Sequence, residues 1–214
     1  MASVKGRRPY RSRLRAEQAS QTRLRILESA AELFAQRGYV ATTIDAVATR
    51  SGVAVDTVYA TFGNKKSLLS ALIDLRVTGA PEGSDVLAGD APRALSTMSN
   101  QRQMIASFSA DIAPRVERVR PIDDIIRSAA AADPEISDLR SRMQENRFNK
   151  LRVFIEWVAA NGALRDGMDG DEATTIVWTL SSPEVNRMLR DVRGWTYERY
   201  AEWLSTILVR LLLT

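Results

Sequence analysis

The chain has 214 residues, of which 45% are hydrophobic and 26% charged, a composition typical of a folded protein with one or two domains. It lacks cysteine and histidine, which excludes disulfides, thiolate zinc sites and Ser-His or Cys-His catalysis, so we expect no metal and no cofactor. The longest uncharged run, Ala173 to Pro183, is shorter than the about 20 residues of a membrane helix. No apolar segment follows the basic N-terminus, and the sequence therefore predicts a soluble, cytoplasmic protein without a membrane partner.

Positive charge is concentrated at the N-terminal end of the chain. Residues 1–78 carry 13 Lys and Arg against 6 Asp and Glu, whereas residues 79–214 carry 17 against 20. Residues 1–18 are predicted to form a flexible basic arm that contacts DNA through Arg7, Arg8, Arg11 and Arg13, since each neutralised phosphate releases a counterion. A solvated tail, a nuclear-localisation signal and a membrane-surface segment are the alternatives.

The pattern of apolar residues predicts helices along nearly the whole chain. In the N-terminal part they lie at about 19–36, at 44 to just before Gly52, at 55–62 and at 65–78. Residues 79–92 are rich in glycine and proline and are predicted to form a linker. Helices are then expected at about 91–110, 114–132 and 133–160, from about 169 to the interruption at Pro183, and from Thr196 to the end.

The two short helices and their glycine turn match the geometry of a helix-turn-helix. Gly52 can adopt the positive φ that a sharp turn needs. Val53 and Val58 are expected in the core, which leaves a set of side chains facing outward on the second helix, where they would enter the DNA major groove: Val55, Asp56, Thr57, Tyr59 and Ala60. Tyr59 and Val55 could instead be structural.

Motifs across about residues 20 to 75 resemble the TetR family of bacterial transcriptional regulators. They comprise Thr22 to Phe34, Arg37-Gly38-Tyr39, Thr42-Thr43, Ser51-Gly52-Val53, Thr57-Val58-Tyr59, Phe62 and Asn64-Lys65. The resemblance implies an all-α homodimer in which a three-helix DNA-binding domain, residues 19–64, continues through a connecting helix, residues 65–78. Residues 79–214 would form a helical bundle that binds an effector and dimerises. It also implies repression that the effector relieves.

The resemblance assigns roles to individual positions. Thr43, Tyr59 and Lys65 match positions that usually touch phosphate, and Lys66 adds a further charge near the DNA backbone. The positions that usually face base edges correspond to Val55, Asp56, Thr57 and Ala60. Asp56 repels phosphate but could accept a hydrogen bond from a cytosine amino group. Ala54 stands where serine is common, so the second short helix lacks a side-chain N-cap.

The C-terminal part supplies apolar side chains, most of which belong in a bundle core. Six are candidates for an effector pocket: Met104, Phe108, Met143, Phe154, Trp157 and Trp178. By family analogy, the dimer surface is expected at Trp178, Trp203, Ile207 and Leu211. Because histidine and cysteine are absent, the expected effector is organic rather than a metal ion.

Two other functions remain open. One is a helix-turn-helix protein that binds double-stranded DNA without a small-molecule effector. The other is a helical enzyme that uses Asp123-Asp124 or the group Asp166, Asp169 and Asp171. Adjacent aspartates on a helix point about 100° apart, which makes the first pair a poor acid/base couple, and the second group suits helix capping.

Overall fold

The computed structural model describes residues 8–79 and 85–214, and within these residues it contains helices and no strand. Ten α-helices occur in this order: α1 (Arg8–Ala41), α2 (Ile44–Ser51), α3 (Val55–Phe62), α4 (Lys65–Thr78), α5 (Asp90–Ser96), α6 (Gln101–Ala130), α7 (Pro134–Ala160), α8 (Gly170–Leu180), α9 (Pro183–Arg187) and α10 (Tyr197–Leu212). A 3-10 turn at Val86–Ala88 precedes α5, and one turn of π-helix, Met188–Val192, follows α9. The all-α prediction is confirmed.

The chain divides into two compact units. The first holds α1 to α3 and α4 as far as Leu75, and the second holds Arg76–Thr78 and the elements from α5 onward. None of the described helices is both long and apolar enough to cross a membrane.

The first unit forms as its local signals predict. Regular helix in α1 stops at Gly38, whose φ of 76° and ψ of 168° are not helical. Thr43 caps α2 by accepting a hydrogen bond from the Ala46 N–H at 3.1 Å. Gly52 ends α2 in the left-handed conformation at φ 69°, and the Val53 N–H returns to the Ala48 carbonyl. This is the sharp turn that the sequence predicts.

α1 begins at Arg8 rather than at about Ala19. The predicted flexible arm therefore includes residues whose backbone is helical. The arginines, leucine, alanine and glutamate of residues 11–18 favour helix. The sequence prediction started the helix at about Ala19, where the apolar stripe begins, and residues 8–18 contain no such stripe.

The second unit differs from the prediction at its first helices. Instead of helices at about 91–110 and 114–132, the short α5 ends at Ser96 and one continuous helix, α6, contains both Pro114 and Pro121. The Asn100 side chain accepts from the Gln103 N–H and starts α6 there. Each internal proline costs about 3 kcal/mol in a helix. α6 packs against α7 and α10, and burial of its apolar face offsets that cost.

The later helix boundaries agree with the sequence signals. Asp133 caps α7, whose first residue is Pro134. α8 ends at Leu180, shortly before the predicted interruption, and Ser182 caps α9, whose first residue is Pro183. The core of the unit lies between α6, α7, α8 and α10 and includes the Phe108 and Phe154 rings, stacked with centroids 4.2 Å apart.

Candidate functional site

α3 presents an outward face made of the predicted base-reading residues. Asp56 and Ala60 are exposed and Val55 and Thr57 are half-buried, whereas Val58 is completely buried and anchors the helix. The position of Val58 in the core is as expected. Among the described residues no cation lies within ion-pair distance of the Asp56 carboxylate, so its oxygens remain available as acceptors. The base contacts themselves stay predictions.

Two of the residues predicted to contact phosphate are exposed. Tyr59 is 48% exposed, so its phenol is not a core aromatic. Thr43 is exposed, and its hydroxyl oxygen accepts the Ala46 N–H. A hydroxyl that accepts in this way still has its own O–H to donate. Capping α2 and donating to a phosphate oxygen are therefore compatible for Thr43.

Lys65 has different partners from the phosphate that the sequence predicts. Its Nζ donates to the carbonyls of Tyr39, Val40 and Thr42 at 3.0, 3.2 and 2.9 Å, and it lies 4.4 Å from the centroid of the Tyr39 ring. An ammonium group has three N–H donors. All three are engaged with backbone carbonyls at the end of α1 and just after it, so a phosphate would have to displace one of these carbonyls. Lys66 is half-buried at the start of the same helix, and its phosphate contact stays a prediction.

A second cation joins α1 to the end of α3 and was missed by sequence reasoning. The Arg23 guanidinium donates to the Thr61 carbonyl at 3.4 Å and lies 4.5 Å from the centroid of the Phe62 ring. In the sequence, Arg23 stands beside the apolar residues of α1, and their helical spacing does not indicate that its side chain reaches α3. Arg23 thus ties α1 to the end of α3, whereas Lys65 ties the start of α4 to the end of α1 and to Thr42.

The DNA contacts predicted for the basic arm depend on four arginines. Arg7 lies outside the described residues. For Arg8, Arg11 and Arg13 the description covers the helical backbone alone. The DNA contacts of all four residues stay predictions.

The predicted pocket residues fall into two groups. Met104, Phe108 and Phe154 are buried in the core of the second unit, and Trp157 and Trp178 are half-buried against it. Met143 is half-buried but is not among the residues of this core. Two surface depressions of about 340 and 330 Å³ are lined by other residues, at the turn between α6 and α7 and beside the C-terminus.

A polar cluster connects α6, α7 and α9 inside the second unit, and sequence reasoning did not anticipate it. Its ion pairs join Arg120 to Asp191, Arg140 to Glu184, and Arg187 to both Asp124 and Asp123. Asp123 is buried, and its Oδ2 has no hydrogen-bond partner. Burial, with the charge of Glu184 added, raises the pKa of Asp123 above its ordinary value, although Arg140 and Arg187 act in the opposite direction.

α10 carries a half-buried stripe beside its buried face. Tyr200, Leu204, Leu208 and Leu212 are fully buried in the unit. The predicted dimer residues Trp203, Ile207 and Leu211 repeat every four positions and each is half-buried. Trp178, the fourth predicted dimer residue, is also half-buried.

The carboxylates considered for an enzyme have structural partners. Asp169 caps α8 by accepting the Glu172 N–H at 2.8 Å, and Asp171 pairs with Arg152 at 3.2 Å. In the part of the chain that the structure describes, no three His, Cys, Asp or Glu side chains come together as a metal site.

Comparison with known proteins agrees with this organisation. Residues 26–72 match the family model described as "Bacterial regulatory proteins, tetR family". The HTH-type transcriptional regulator TtgR of Pseudomonas putida is 23% identical over 193 residues, which cover 84% of this chain and 90% of that protein.

Two solved structures share the fold along most of their length. NalD, described as the secondary repressor of the MexAB-OprM multidrug efflux pump in Pseudomonas aeruginosa, superposes with a TM-score of 0.66 at 21% identity, covering 91% of this chain and 98% of NalD. SmeT in complex with triclosan gives 0.68 at 19% identity, covering 91% and 92%. At these identities the superpositions establish the fold.

The helix-turn-helix of α2 and α3, the family model that spans it and the fold shared over nine-tenths of the chain lead to one conclusion. Residues 26–72 carry the N-terminal region that defines the tetR family of bacterial regulatory proteins.

Proposed function

We propose that this regulator is a repressor that binds a palindromic operator as a homodimer and leaves it when an organic effector binds. The observation that carries the proposal is the exposed face of α3, held by a buried Val58 and flanked by an exposed Tyr59. In the proposed division of roles, residues 19–64 bind DNA, residues 65–78 connect, and residues 79–214 bind the effector and dimerise.

The DNA contacts divide into two kinds. Val55, Asp56, Thr57 and Ala60 would read base edges in the major groove. Thr43, Tyr59, Lys66 and the basic arm would contact phosphates, which position the protein without reading sequence. Lys65, which the resemblance also places at a phosphate, is proposed to act mainly as a brace, because its three N–H groups already have carbonyl partners.

The dimer would form across the stripe of α10 that contains Trp203, Ile207 and Leu211. Two-fold symmetry would place two copies of α3 about one DNA turn apart, or somewhat more, which is why a palindromic operator is expected. An effector can release the DNA only if it binds more tightly to a conformation that the operator does not accept. NalD is described as a repressor and SmeT was solved with triclosan, and both descriptions support an effector-controlled repressor here.

The test is to footprint the purified protein on the DNA that flanks its own gene, and then to titrate salt on that site and on random DNA. We expect a protected palindrome, and affinity for it that exceeds affinity for random DNA at every salt concentration. Equal affinity for all duplexes would overturn specific regulation. If the site is bound but no organic compound releases the protein, the alternative without a small-molecule effector is favoured.

Asp56 tests the base-reading assignment. Because its carboxylate is exposed and can accept a hydrogen bond from cytosine, Asp56→Ala should change the preferred operator sequence more than it weakens binding overall. Selection of bound sequences from a randomised pool measures this. Equal loss of affinity on all operator sequences would contradict the assignment.

A further inference from the structure

Arg147 on α7 has one terminal nitrogen bonded and one without a partner. Its Nη2 donates to the Trp178 carbonyl at 2.6 Å and to the Ser181 hydroxyl at 2.9 Å, both at the end of α8. Its Nη1 is inaccessible to solvent and has no hydrogen-bond partner. The guanidinium therefore has neutral partners on one side and an unused donor group on the other.

The arginines of the polar cluster differ from Arg147 in one respect. Each has a carboxylate partner: Arg120 has Asp191 at 2.9 Å, Arg140 has Glu184 at 2.9 Å and Arg187 has Asp124 at 2.5 Å. Arg147 has no carboxylate within 4.0 Å among the described residues. Arg147 therefore differs from these three arginines in having no anionic partner among the described residues.

Burial makes this arrangement unfavourable for the free protein. Desolvation lowers the pKa of Arg147 to about 10, and the electrostatic effects of Tyr200, Glu184 and Asp123 counteract this only in part. The group remains charged at neutral pH. A buried charge without a counter-charge is destabilising, and an anion that reached Nη1 would remove that penalty.

A second unused donor belongs to Trp178, the residue whose carbonyl Arg147 binds. The indole Nε1 of Trp178 is inaccessible to solvent and has no hydrogen-bond partner. The Arg147 Cζ lies 5.6 Å from the centroid of the Trp178 ring, and the Phe148 ring meets that ring edge-on with centroids 6.5 Å apart. Two N–H donors and two aromatic rings thus share one region between α7 and α8.

We propose that Arg147 and Trp178 bind the carboxylate of an amphipathic organic acid, whose apolar body packs against Phe148 and the Trp178 ring. This assignment rests on the proposed function, because it identifies the chemical class of the effector. A carboxylate has acceptor sites for both donors and supplies the charge that Arg147 lacks. A neutral ligand would satisfy the hydrogen bonds but leave the charge unpaired.

The test uses the full chain and two matched pairs of probes, 1-naphthoate with 1-naphthamide and decanoate with decanamide, titrated by calorimetry. We expect at least one carboxylate to bind, and Arg147→Met to weaken it about tenfold or more while the amide changes little. Trp178→Phe keeps an aromatic ring, smaller than the indole, and loses the N–H, so it should weaken carboxylate binding several-fold. Arg140→Met is the matched control on the same helix and should leave probe binding unchanged.

Three results would overturn the assignment. One is that neither carboxylate binds at concentrations up to about 1 mM. Another is that Arg147→Met leaves carboxylate affinity unaltered, and the third is that Arg140→Met lowers it equally. If circular dichroism shows that Arg147→Met does not fold, Arg147→Lys and Trp178→Phe supply the same comparison, with both expected to bind the carboxylate more weakly than the parent chain.

Operator binding without probe separates this inference from the proposed function. We expect Arg147→Met to bind the operator with the affinity of the parent chain. Failure of the parent chain to bind any operator would overturn the proposed function. Normal operator binding with no effect of either carboxylate would overturn the inference alone.

Discussion

Two roles are considered for Lys65: it stabilises the first unit through hydrogen bonds to backbone carbonyls, or it contacts a DNA phosphate. The variant Lys65→Met separates these roles. The substitution keeps an unbranched apolar stem and removes the ammonium that donates to the carbonyls of Tyr39, Val40 and Thr42. Hydrogen bonds that involve a charged group contribute about 1.5–3 kcal/mol when desolvated, but this group is only half-buried and water can replace part of each bond. We therefore expect a loss of about 2–4 kcal/mol in the free energy of unfolding of the first unit.

The assay has two readouts. Urea unfolding followed by circular dichroism, with hydrogen exchange of peptides from α1 to α3, measures the stability of the first unit. The slope of log affinity against log salt on the operator counts neutralised phosphates, and it changes by about 0.9 for each phosphate that a variant no longer neutralises. Measured at low temperature, where the variant is folded, Lys65→Met should keep the slope of the parent chain.

Lys66→Met is the matched control, one position along α4. It should lower the salt slope by about 0.9 per half-site and change the stability by about 1 kcal/mol or less. The reasoning about Lys65 is refuted if Lys65→Met leaves the stability unchanged and lowers the slope as Lys66→Met does. In that case the ammonium would leave its carbonyls for a phosphate when DNA binds.

Three further predictions concern other parts of the chain. Ala54, at the N-cap of α3, has extended backbone and no side-chain cap, so Ala54→Ser should stabilise the first unit by about 1 kcal/mol in urea unfolding; an unchanged midpoint would contradict this. Charged residues at Trp203 and Leu211 should yield monomers, seen by ultracentrifugation, that lose specific operator binding, and a variant that stays dimeric would place the interface elsewhere. Asp123 has a folded pKa above its unfolded value, so the stability it contributes is present below the unfolded pKa and is lost as pH rises through the folded pKa. Asp123→Asn should therefore raise the thermal midpoint at pH 7 and lose that advantage as the pH falls toward 4; the opposite trend with pH would be evidence against a buried, disfavoured carboxylate.

The elements of the first unit could be predicted because their signals are local. Thr43 as a cap and Gly52 as a turn act within a few residues of themselves, and the apolar spacing of each short helix determines which side it buries. Val58 and Asp56 lie on opposite sides of one helix for the same reason. The outward face of α3 was therefore accessible to reasoning from the sequence.

The second unit was less predictable because long-range packing decides its boundaries. Pro114 and Pro121 are strong local signals against helix, yet the burial of α6 against α7 and α10 overrides them. In the opposite direction, Asn100 starts a helix by a single side-chain hydrogen bond inside a stretch that the apolar pattern had treated as continuous.

The amino-acid sequence by itself determined the all-α class, the helix-turn-helix and the outward face of α3, because helical period and capping are properties of neighbouring residues. Only the tertiary structure decided which groups the cationic side chains bind. Lys65 finds carbonyls more than twenty positions away, and Arg147 finds the Trp178 carbonyl and the Ser181 hydroxyl but no carboxylate among the described residues. A charged side chain is long and can reach many partners, so its role depends on which distant backbone or side-chain groups folding brings within about 3 Å of it.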